Sequence, residues 1–152
     1  MDDDGFTLGE SNAIMVYLAS KKPSDIYPED AVARAEIHSW LSWDVAHWTP
    51  AYQPIQFERL IKPMLGRGET DEAVVETATK AFHREAAHLD AALDGKTWLV
   101  GDNPTLADLA VGAGLTHADA AQFPWGDYAN IRAWYERLGA LDCWKKTTPQ
   151  LG

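Results

Sequence analysis

Apolar residues recur at intervals of three and four through most of this chain, the spacing that turns one face of an α-helix towards a core. Ile14, Tyr17 and Leu18 mark such a face on a helix from Asn12 to about Ser20, stopped by Pro23. Ala33, Ile37, Trp40, Leu41 and Trp48 form a stripe on a helix from Glu29 to about Trp48. Thr49-Pro50 is expected to break or kink it, because proline brings no N–H to the ladder. Helical pieces continue to Leu65, with prolines at 54 and 63, before a Gly66-Arg67-Gly68 loop. Thr70-Asp71-Glu72 then caps a long helix ending at Gly95, with Val75, Ala78, Phe82, Ala86, Leu89 and Leu93 facing inward. From Leu106 to about Ala118 the pattern is apolar all round, as in a helix enclosed by its neighbours. Thr105 is its N-cap, and Asp108 three residues on completes a capping box. Gly112 and Gly114 cost helix propensity there, so close packing is expected to account for them. Asp127 is read as the cap of a helix from Tyr128 to Leu138, and a short segment carrying Trp144 follows.

Alternation is confined to the start. Asp4-Gly5 is a hairpin turn signal and Phe6-Thr7-Leu8 a short strand, with Met1-Asp2-Asp3 a poor partner for it. The expected class is all-α: a helical bundle behind a short strand–helix unit. Residues 1–22 form that unit, 23–28 a linker with prolines at both ends, and 29–152 the helical domain.

Composition narrows the partners. The 152 residues carry a net charge of −10, which argues against a nucleic-acid backbone or an anionic membrane as the principal partner. No apolar run is long enough to span a bilayer. A single cysteine, Cys143, excludes an internal disulfide framework, fits a reducing, cytoplasmic compartment, and reads as a small buried apolar residue, with a reactive thiol as the alternative. His83 and His88 stand five apart rather than four, so no metal site is expected. There is no phosphate-binding glycine loop and no nucleophilic triad order.

Two groups of residues carry candidate chemistry. Glu10 and Ser11 stand where a helix begins, and a helix N-terminus offers free N–H groups and a partial positive charge to a carboxylate. Ser11 adds a hydroxyl donor and Glu10 a charge suited to an ammonium. Simple helix capping by the same pair is the alternative. Trp40, Trp43, Asp44, His47 and Trp48 form an aromatic face with two polar groups, as a pocket for an apolar ligand requires. Plain core packing is the alternative for each tryptophan.

The run Leu8-Gly9-Glu10-Ser11-Asn12-Ala13-Ile14-Met15-Val16-Tyr17-Leu18, after the Asp-Gly turn, resembles the end of the thioredoxin-like domain of cytosolic glutathione S-transferases. Thr105-Leu106-Ala107-Asp108 resembles the capping box in the central helix of that family's C-terminal domain, and the resemblance covers essentially the whole chain. It implies a transferase that conjugates glutathione to a hydrophobic electrophile, with glutathione as co-substrate and no tightly bound cofactor. Glu10 and Ser11 would hold the γ-glutamyl end of glutathione, and the Trp40, Trp43, Asp44, His47 and Trp48 face would line the electrophile pocket. The family's sulfur-activating residue and cis-proline loop would precede Met1, so the chain is expected to lack most of the activating domain, to assign no catalytic residue of its own, and to be largely inactive alone. A homo-oligomer or a partner chain is expected over the face that the missing part would cover. The alternative is a non-catalytic interaction or dimerisation module of the same shape.

Overall fold

The structure, a computed structural model, describes residues 1–147; residues 148–152, the end of the expected helical domain, lie outside them. The chain opens with a two-stranded antiparallel hairpin, β1 (Asp2–Asp3) and β2 (Phe6–Thr7), in which Asp2 faces Thr7 and Asp3 faces Phe6. Met1-Asp2-Asp3 is thus a working partner strand after all. Asp4 and Gly5 both have positive φ, 53° and 89°, the two-residue turn whose twist suits paired strands. That geometry compensates for the low β-propensity of aspartate. Helix α1 (Ser11–Ser20) follows and has no fully buried residue; Met15, Val16 and Ala19 rest on the bundle.

A helical run extends from α2 (Ala31–Trp43) through α3 (Thr49–Gln56) to α4 (Lys62–Met64). Asp30 caps it, its carboxylate accepting from Ala33 N at 2.8 Å. Of the two outcomes expected at Thr49-Pro50, a break or a kink, the break does not occur. The chain instead widens in two turns, Asp44–Trp48 and Phe57–Ile61. Thr49 N–H donates to Asp44 O, and Lys62 N–H to Phe57 O, each five residues back. The next residue in each case is a proline, Pro50 or Pro63. A proline ring clashes with the carbonyl four residues before it, and a wide turn relieves that clash without ending the helix.

Helix α5 (Glu72–Ala92) is capped by the Asp71 carboxylate, which accepts from Ala73 N at 3.0 Å. Val75, Phe82, Ala86 and Leu89 face the core. Helix α6 (Leu106–Ala113) is enclosed as expected but ends at Ala113, five residues short of the sequence reading, and turns fill 114–120. Gly114 is where close packing decides: a Cβ there would lie 2.5 Å from the Tyr52 ring. At Gly112 a Cβ would meet Leu138 Cδ1 at the same distance.

Helix α7 (Ala129–Ala140) is capped from α5 rather than by Asp127. Asp90 Oδ1 accepts from Asn130 N at 2.9 Å and Ile131 N at 3.0 Å, which satisfies two of the free donors of the first turn. The short α8 (Asp142–Thr147) completes the described chain. Cys143 lies on its exposed side, which corrects the expectation that it is buried. One continuous core joins α2 to α7 around Ile37, Trp48, Phe82, Val111 and Trp134. Among the described residues no helix is long and apolar enough to cross a membrane.

Candidate functional site

Glu10 is the N-cap of α1, with φ 63° and ψ 121°. A non-glycine residue held there carries a backbone strain of about 1–3 kcal/mol, which the surrounding structure must maintain. Its side chain makes no capping hydrogen bond, while its carbonyl accepts from Ile14 N at 3.0 Å. Ser11, the first helical residue, is exposed. The positive end of α1 therefore stands without a capping side chain from Glu10, beside a carboxylate and a hydroxyl. Beside this corner, a cleft of about 690 Å³ opens between α1 and α2. Leu8, Val16, Leu41 and Val45 give it apolar walls, and Glu10, Asn12 and His38 are among its polar residues.

Two of those polar residues, Asn12 and His38, are not among the candidate site residues of the sequence. Asn12 Nδ2 donates to Leu41 O at 3.2 Å, and His38 Nε2 meets Tyr27 OH at 2.9 Å. The signal for Asn12 was a lone amide beside the Glu-Ser pair, at the start of an otherwise largely apolar helix. His38 gave none, because its partner Tyr27 lies in the linker.

The aromatic face divides. Trp40 and Trp43 are half-buried and meet edge to face at 5.2 Å between ring centroids; His88 packs against both, at 5.7 and 5.4 Å. With Glu36, Ser39 and Lys96 they line a second cleft of about 300 Å³. Trp48 is fully enclosed, stacked on Trp43, and donates from Nε1 to Val111 O at 3.2 Å. Asp44 is also enclosed, 8 % exposed, and accepts from Thr49 Oγ1 at 3.3 Å; burial pushes its pKa up to about 6. His47 is exposed. The five residues thus do not form one wall: Trp48 is core, and Trp40 and Trp43 face a cleft that shares no lining residue with the one beside Glu10. Helical spacing explains the division, since positions 36, 40 and 43 and positions 38, 42 and 45 fall on different faces of the same run.

Thr105 and Asp108 form a capping box at the start of α6. The Asp108 side chain is wholly buried and accepts from Thr105 N at 2.9 Å, Thr105 Oγ1 at 3.1 Å, Leu99 N at 2.9 Å and Trp134 Nε1 at 2.8 Å. Leu106 N–H donates to Ile26 O at 2.9 Å, which fastens the linker to the same helix start. This group is buried and binds elements together.

A helical bundle behind a short hairpin and helix is an architecture that known proteins share. Residues 46–142 match the family described as glutathione S-transferase, C-terminal domain. Glutathione S-transferase 3 of Zea mays is 36 % identical, the match covering 95 % of this chain and 67 % of the relative. Among solved structures, glutathione S-transferase I from maize in complex with an atrazine glutathione conjugate superposes with a TM-score of 0.86 at 29 % identity, over 95 % of this chain and 69 % of that one. Glutathione transferase F7 of Populus trichocarpa gives 0.82 at 26 % identity, over 95 % and 70 %. This chain belongs to the glutathione S-transferase family.

Proposed function

We propose that this chain provides the corner of a glutathione S-transferase that holds the γ-glutamyl end of glutathione. The Glu10 carboxylate pairs with the α-ammonium. The Ser11 hydroxyl and the first N–H groups of α1 receive the α-carboxylate, for which the helix dipole is favourable. The observation that carries this reading is Glu10 itself. It occupies the N-cap in a costly backbone conformation, and its side chain does not use the position to cap. Strain that brings no side-chain hydrogen bond in return supports a functional role for the position.

The reaction is attack of the glutathione thiolate on an electrophilic carbon, forming a C–S bond. The protein's share is to fix both partners in line. The atrazine conjugate in the maize structure supports a hydrophobic electrophile as second substrate. The apolar wall of Leu8, Val16, Leu41 and Val45, next to Glu10, suits such a molecule better than the cleft of Trp40 and Trp43. The proposal gives no residue of this chain the task of activating the sulfur, so the chain by itself binds glutathione without appreciable turnover of a chromogenic aryl halide.

Titration calorimetry with glutathione tests the reading. Glu10→Ala and Ser11→Ala are each expected to weaken binding, about tenfold for the loss of one hydrogen bond to a charged group. Wild-type protein that takes up no glutathione, or variants that bind it equally well, would overturn the assignment.

A further inference from the structure

We infer that Asn12 is the positioning residue of this corner, an inference that rests on the glutathione reading. Helix α1 has no fully buried residue, so packing alone holds its N-terminal end weakly. Among the described residues, the hydrogen bond that joins α1 to the helical bundle is Asn12 Nδ2 to Leu41 O, 3.2 Å, across 29 residues of chain. Its place is specific at both ends. Asn12 comes directly after Ser11, in the first turn whose N–H groups face the proposed ligand. Leu41 O lies at the end of α2, where it also accepts from Asp44 N and where the regular ladder passes into the first wide turn. A carbonyl has two lone pairs, and the change of winding lets the second be used by a side chain. The amide therefore sets where Glu10 and Ser11 stand relative to the cleft wall formed by Leu41 and Val45. Asn12 lines that cleft but gives its donor to the protein, so it acts through its neighbours rather than on glutathione.

The test compares glutathione with cysteinylglycine, which lacks the γ-glutamyl group, by calorimetry on the full chain. Asn12→Leu fills similar space without a donor; Asn12→Gln keeps the amide on a longer stem. Wild-type protein is expected to prefer glutathione. Asn12→Leu is expected to weaken glutathione about fivefold, the worth of one hydrogen bond, and to leave cysteinylglycine unchanged. Asn12→Gln is expected to recover part of the loss. Amides of Met15 to Ala19 are expected to exchange faster in Asn12→Leu, with those of α5 unchanged. Unchanged glutathione affinity in Asn12→Leu would overturn this inference and leave the glutathione reading standing. Equal loss for both ligands, or a bundle that no longer folds, would show a structural role and overturn it too. A wild-type chain with no preference for glutathione would remove the reading and the inference together.

Discussion

Asp44 carries a carboxyl into the core with a single hydroxyl, Thr49 Oγ1, to answer it. Burial favours the neutral form, so its folded pKa of about 6 lies above the ordinary 3.8. The folded state binds the proton more tightly than the unfolded chain does. The contribution of Asp44 to stability is therefore fully present below pH 3.8 and is lost as pH rises through about 6, where the carboxyl ionises inside the fold. Asn in its place keeps an acceptor for Thr49 and cannot ionise. Urea unfolding at pH 7 is expected to show Asp44→Asn more stable than wild type by about 1–2 kcal/mol, with the gain vanishing at acid pH. Glu58 has the opposite sign. The Asp71 N–H at 2.8 Å and Lys62 at 2.7 Å hold its carboxyl below the ordinary glutamate range, so its contribution is present at neutral pH and is lost on acidification.

Among the elements, α6 and α3 meet where Gly114 faces the ring of Tyr52. That ring is held by Thr49 Oγ1 at 3.3 Å and by contact with Trp48 and Phe123, and it cannot swing away easily. Gly114→Ala is expected to cost about 1–3 kcal/mol through overpacking, read as a lowered melting temperature. Gly112→Ala is expected to cost less, because the nearest atom in its way is the end of a leucine side chain, with the Trp144 ring further off at 3.2 Å. The sequence showed the need for small residues here but not the length of α6: composition reports enclosure, and turns can be enclosed too. It showed the prolines of the α2–α4 run but not their consequence. A missing N–H is legible, whereas the choice between breaking a helix and widening it depends on what packs around it. In the same way the Trp40, Trp43, Asp44, His47 and Trp48 grouping came from spacing along one helix. Spacing gives relative faces, and only the neighbouring helices decide which face is covered.

For the whole molecule, Asp108 is the junction. Its carboxylate takes one N–H from the connection after α5, two donors from the start of α6 and one from α7. Asp108→Ala would leave all of them buried without a partner. The expected loss is about 3–5 kcal/mol, and denaturant unfolding would measure it. The capping spacing Thr105-x-x-Asp108 marked this helix start in the sequence; the bonds to Leu99 and Trp134 were invisible there, since they depend on tertiary approach. The Glu10-Ser11 corner was legible through its place at a helix start. Its backbone strain, the tether from Asn12 and the adjoining cleft were not.

The cap on α7 bears on the order of assembly. Its first-turn amides are answered by Asp90, forty residues upstream and on another helix. A twelve-residue helix is marginal alone, and its nucleation is the costly step. Here that cost is offset only once α5 has formed and come alongside. The last long helix thus leans on another for the start of its ladder, and a peptide cut from this end of the chain is expected to coil little, as circular dichroism would show.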